Sequence, residues 1–97
     1  MAIIHVDDNN FNENIKNGTI LVDFYADWCG PCRMLSPILE ELSNDFNIVK
    51  VNVDESPIAA QKYGVMSIPT LIVFKDGKEV NKKIGLCSKD ELKEMIK

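Results

Sequence analysis

Residues 19–32 read Thr-Ile-Leu-Val-Asp-Phe-Tyr-Ala-Asp-Trp-Cys-Gly-Pro-Cys, and this stretch decides the fold. Its first part, Thr19 to Ala26, is a near-continuous apolar, β-branched and aromatic run. A sheet with one wet face shows alternation, so a continuous run predicts a central strand covered on both faces. The run passes directly into a helical pattern from Pro31 to Phe46. There Met34, Leu35, Ile38, Leu39, Leu42 and Phe46 mark one apolar stripe, with Glu40, Glu41 and Asn44 opposite. Pro37 inside this helix removes the hydrogen bond to Arg33 and predicts a kink.

Working outward, Ile3 to Val6 reads as an edge strand. Asp8 and Asn9 offer capping side chains to a short helix that carries Phe11 and Ile15 on one face and stops at Gly18. Beyond the long helix, Asn47 to Asp54 alternates at Val49, Val51 and Val53 as a strand does. Ser56-Pro57 then reads as an N-cap with proline at the first helical position, and Gly64 ends that helix. Thr70 to Phe74 and Glu79 to Ile84 are strands joined by the hairpin signal Asp76-Gly77. Ser88 and Glu91 form a capping box before Leu92, Met95 and Ile96. The order β-α-β-α-β-α-β-β-α predicts an α/β protein, a single domain over residues 1–97. It is a three-layer α/β/α sandwich with a central mixed five-stranded sheet and four helices.

The 97 residues hold one modest core. Eleven basic against fifteen acidic residues give a net charge of -4. That balance argues against nucleic acid or an anionic membrane as partner, since both need a basic face. No cationic stretch followed by an apolar run opens the chain, and nothing approaches the roughly 18 apolar residues of a membrane span. The expected compartment is the cytoplasm and the expected state a monomer.

Three cysteines are an odd number, which does not suit a stapled secreted scaffold. Cys29 and Cys32 fall where the central strand gives way to the long helix. An i, i+3 spacing there puts both sulfurs on one side of the first turn. Backbone N–H groups and the positive end of the helix can stabilise a Cys29 thiolate, the species that attacks disulfides. Gly30 and Pro31 separate the pair, and Pro31 withholds one N–H donor, which favours a reductant. A zinc knuckle is the competing reading, but tetrahedral zinc needs four ligands and only Cys87 and His5 are available, both remote. No metal is expected. His5 is read as a surface residue. Cys87 reads equally as a buried small hydrophobe or an exposed thiol.

The constellation resembles the thioredoxin family over essentially the whole chain. It is carried by Val22-Asp23-Phe24-Tyr25-Ala26-Asp27-Trp28-Cys29-Gly30-Pro31-Cys32, then Pro37, Lys50, Asp54, Ile68-Pro69-Thr70, Phe74, Gly77 and Gly85. The resemblance implies a general protein-disulfide reductase and electron carrier with no cofactor beyond its redox-active Cys29–Cys32 disulfide. Cys29 is then the exposed nucleophile and Cys32 the resolving thiol. Asp23, costly to bury in an apolar strand, is the proton acceptor at Cys32. Lys50 is its partner, although pattern alone also allows an outward-facing lysine. Trp28 packs and covers the cysteines. Pro69 is in cis and leaves the Ile68 backbone free to pair with an extended substrate segment. Gly64, Val65, Gly85 and Leu86 complete the docking rim. The implied partners are disulfide-containing protein substrates and a flavin-dependent thioredoxin reductase.

Two positions depart from the common bacterial pattern: Tyr25 stands where tryptophan is frequent, and Asp27 places a charge beside Trp28. Asp27 opposes thiolate formation if ionised nearby. A dedicated reductase with few clients and an oxidase are rivals within the fold, and Gly-Pro between the cysteines argues against the oxidase. A non-catalytic binding module is the rival from another class, and retention of both cysteines argues against it.

Overall fold

The computed structural model describes residues 3–97. Its elements are β1 (Ile3–Val6), α1 (Phe11–Ile15), β2 (Thr19–Tyr25), α2 (Gly30–Leu42), β3 (Asn47–Asn52), α3 (Pro57–Lys62), β4 (Thr70–Lys75), β5 (Lys78–Ile84) and α4 (Lys89–Ile96). The strands form one five-stranded sheet in the order β1-β3-β2-β4-β5. Strands β1, β3 and β2 run parallel, while β4 is antiparallel to β2 and β5 to β4.

The continuous apolar character of β2 follows from its central place. On one face Ile20, Val22 and Phe24 pack with Phe11 and Ile15 of α1 and with Ala59 and Ala60 of α3. On the other, Leu21 packs with Leu35, Leu39 and Leu42 of α2 and with Leu92, Met95 and Ile96 of α4. Each fully buried aliphatic or aromatic side chain contributes about 1.5–3 kcal/mol. The two clusters make the expected three layers.

Helix α2 ends at Leu42 rather than at Phe46. The Ser43 Oγ donates to the Glu40 carbonyl at 2.6 Å, and Ser-Asn-Asp is a run whose side chains compete with helical bonding. Phe46 packs against the core from the following turn. Met34 is 65% exposed, so it flanks the stripe instead of belonging to it.

The helix caps differ most from expectation. The N-cap of α1 is Asn10, which makes no side-chain cap bond. Asp8 instead crosses to α3, where its carboxylate accepts the N–H groups of Ile58 at 3.1 Å and Ala59 at 2.8 Å. The N–H of Asn9 donates to Asp7. With those α3 donors taken, the Oγ of Ser56 is buried without a partner. Asp8→Ala is therefore expected to cost about 1 kcal/mol, the usual worth of a cap, and Ser56→Ala almost nothing. Urea unfolding of both variants checks this, and the reverse ranking would refute it.

The hairpin and the last helix follow the sequence. Asp76 and Gly77 take φ values of 51° and 85°, the left-handed pair that a tight two-residue hairpin turn requires. The Asp76 carboxylate also accepts the Gly18 N–H at 2.8 Å, tying the hairpin tip to the turn before β2. Ser88 and Glu91 form the capping box, and Glu91 pairs with Lys83 at 2.9 Å. The Ser88 backbone N–H and Lys83 together hold the Glu91 carboxyl down at about 2. Strand β5 forms one edge of the sheet and is exposed along most of its length, with Lys78, Glu79, Lys82 and Lys83 on it.

Candidate active site

Cys29 is the N-cap of α2, with Pro31 in the first turn. Its Sγ accepts the backbone N–H of Cys32 at 3.2 Å. The two cysteines are joined in a disulfide, with Cα atoms 5.3 Å apart. Because proline supplies no N–H, the Cys32 amide is the donor that the helix start offers to this sulfur.

Both cysteines are almost fully covered, Cys29 at 4% and Cys32 at 3% exposure. The exposed Cys29 expected from the sequence is thereby corrected. The pair packs with Ala26 and against Tyr25, Val53 and Ile68. The Cys29 Sγ lies 3.8 Å from the Ile68 carbonyl oxygen. The Ile68–Pro69 bond is cis. The loop before β4 thus meets the cysteines although it is remote in sequence.

Asp23 alternates with Val22 and Phe24 along β2 and so faces the α2 side of the sheet. It is in register with Lys50 of β3, which is in turn in register with His5 of β1. Asp23 is fully buried, and neither carboxyl oxygen has a hydrogen-bond partner. Burial drives its pKa up to about 7, and the Lys50 charge offsets only part of the shift. Lys50 shares the face of Asp23, so the outward-facing alternative fails. Its Nζ donates to the Ser36 Oγ at 3.3 Å and lies 4.5 Å from the centre of the Tyr25 ring. Tyr25 thus supplies an aromatic face to this cation. A cleft of about 270 Å³ behind the pair is lined by Cys32, Ser36, Lys50, Tyr25 and His5 among others. His5 is exposed, its Nδ1 3.4 Å from the Tyr25 hydroxyl.

In front of the pair runs an apolar groove of about 380 Å³, lined by Trp28, Val53, Val65, Met66, Ser67 and Ile68. Trp28 is 69% exposed, a wall of the groove rather than a packing residue. Its indole N–H donates to Asp54 at 2.9 Å. Of the other expected rim positions, Val65 and Ile68 line the groove, and Gly85 is tied to Pro69 by its N–H at 2.8 Å. Gly64 and Leu86 do not line it.

Ser36, Asp54 and Met66 were missing from the sequence-derived site. The first two act only through a partner distant in sequence, and Met66 belongs to no periodic pattern. Among the described residues no three His, Cys, Asp or Glu side chains converge to hold a metal. Cys87 is buried in the α2–α4 cluster, and burial pushes its thiol up, the mark of a small hydrophobe.

The thioredoxin family profile matches residues 2–97. The chain belongs to the thioredoxin family. It is 56% identical to the thioredoxin of Staphylococcus saprophyticus, across 99% of this chain and 96% of that one. It is 52% identical to a Staphylococcus aureus thioredoxin over the same shares. Among solved structures, a mutant thioredoxin from Halobacterium salinarum superposes with a TM-score of 0.92 at 40% identity, covering 97% of this chain and 87% of the other. This thioredoxin-family chain is a thiol–disulfide oxidoreductase of the reductase type, and its chemistry runs on the Cys29–Cys32 pair without a further cofactor.

Proposed function

We propose that the chain works as a single-domain, general reductant of protein disulfides. The observation that carries this is a cysteine pair at a helix N-terminus beside an apolar groove and the Ile68–Pro69 loop. In the reduced form the Cys29 thiolate, stabilised by the Cys32 N–H, attacks one sulfur of a substrate disulfide held in the groove. A mixed disulfide forms and one substrate sulfur leaves as a thiolate. Cys32 then loses its proton to Asp23 and attacks the Cys29 sulfur. The substrate departs as a dithiol, and two electrons have moved to it.

Trp28, Val65 and Ile68 supply the apolar contact, and the Ile68 backbone pairs with an extended substrate segment. Gly64, Gly85 and Leu86 shape the surface around it, and Gly30 and Pro31 set the reducing poise. Lys50 offsets part of the cost of an ionised Asp23. A flavin-dependent thioredoxin reductase returns the electrons. The acidic net charge supports partners other than nucleic acid or membrane, and the described helices include none long and apolar enough to cross a membrane. The working form is a monomer in the cytoplasm.

Insulin turbidity with dithiothreitol tests the reading. The protein is expected to shorten the lag before precipitation, and Cys29→Ser to return the lag to the blank. No acceleration over the blank would leave the groove to a non-redox binding module, and acceleration that survives Cys29→Ser would remove the reductase reading.

A further inference from the structure

Met66 is 96% exposed, the most open of the large apolar side chains among the described residues, yet it lines the groove beside Trp28, Val65 and Ile68. It sits outside any helix or strand, two residues before Ile68. Among the described residues its side chain is left almost wholly uncovered. An unbranched, polarizable side chain at such a place suits a surface that must fit varied partners. The same exposure leaves its sulfur open to two-electron oxidation.

We propose that Met66 is a sulfoxidation site that sets how tightly the groove holds protein substrates. The proposal rests on the groove being the docking surface. Hydrogen peroxide is the oxidant: its O–O bond breaks, an S–O bond forms on Met66, the sulfur gives up two electrons, and the remaining oxygen leaves as water. The product carries a strong hydrogen-bond acceptor where an apolar contact stood, and docking must then desolvate it.

Among the described residues, each of the other sulfurs is either covered or outside the groove. Cys29 and Cys32 are joined and covered in the oxidised form. Cys87 is buried with a raised thiol pKa, which leaves little thiolate. Met95 is 9% exposed. Met34, at 65% exposure, is open but does not line the groove, so it serves as an internal control.

The test treats the disulfide form with hydrogen peroxide, removes the excess with catalase and maps sulfoxides by peptide mass. Turnover is then compared on insulin and on a small aromatic disulfide. Sulfoxide is expected at Met66, with KM for insulin rising about fivefold, the scale of losing part of one methionine's apolar burial. The rate with the small disulfide is expected not to move. Met66→Leu is expected to show the same KM before and after peroxide, and Met66→Gln to reproduce the raised KM without it. Met34→Leu is expected to respond to peroxide as the parent does. A peroxide response that persists in Met66→Leu, or a Met66→Gln protein with the KM of Met66→Leu, would overturn the proposal. Val65→Asp separates the two levels. If it raises KM while Met66→Gln does not, the docking groove stands and Met66 falls. If neither raises KM, the docking reading itself falls.

Discussion

Cys32→Ser is expected to turn the protein from a catalyst into a trap. The Cys29 sulfur sits at the N-terminus of α2 with the Cys32 N–H on it, and that backbone donor survives the substitution. Attack on a substrate disulfide therefore still proceeds, but no second sulfur is left to resolve the mixed disulfide. Insulin reduction is expected to fall to the uncatalysed rate while a covalent one-to-one adduct accumulates. Non-reducing mass spectrometry reads the adduct, and dithiothreitol should release it. The mirror variant, Cys29→Ser, should lose turnover without accumulating an adduct. An adduct formed by Cys29→Ser and not by Cys32→Ser would exchange the roles of the two cysteines.

Asp23→Asn is expected to act in opposite directions on stability and on rate. The carboxyl has an ordinary value of 3.8 and is raised to about 7 in the fold, chiefly by burial. The folded chain therefore holds this proton more tightly than the unfolded chain. The resulting stability is fully present below the unfolded value of 3.8 and is lost as pH rises through about 7. At alkaline pH the buried charge costs on the order of 4 kcal/mol, at about 1.36 kcal/mol per pKa unit. Asparagine carries no charge to desolvate, so the variant should match the parent near pH 4 and become progressively more stable up to about pH 7, with a plateau beyond. Its amide is still a buried polar group, which keeps the gain below the full figure. Urea unfolding of the oxidised proteins across this range measures the difference. In the same variant, resolution of the mixed disulfide should slow by on the order of 10²-fold, the lower end of general-base contributions. It should also lose its pH dependence near neutrality. A rate and pH profile equal to the parent's would remove Asp23 from proton transfer, whatever its effect on stability.

What the sequence disclosed and what it withheld divide along a physical line. β2 was legible because burial on both faces leaves a continuous apolar signature. The capping box of α4 was legible because its two partners lie three residues apart. The chemistry of the cysteine pair was legible because strand end, helix start and both sulfurs fall within a few residues. Asp8 was misread because its acceptor work is done 50 and 51 residues away, on Ile58 and Ala59. Cys29 was expected to be open because its cover comes from the Ile68 loop, which no local pattern announces. Lys50 was undecided by alternation alone, and the register with Asp23 placed it. Met66 escaped notice because exposure of one methionine in a loop has no periodicity to betray it.

Strand β5 has a consequence for how copies of this molecule treat one another at high concentration. A sheet edge offers unpaired amides and carbonyls to any passing strand, and that is how ordered aggregates begin. Here the edge carries Lys78, Glu79, Lys82 and Lys83, and the β4–β5 register shifts between Val73 and Phe74. A second copy docking edge to edge would have to crowd like charges and match an interrupted ladder. The β5 margin thus discourages strand-to-strand association between copies, in contrast to the apolar groove that we propose as the docking surface for foreign strands.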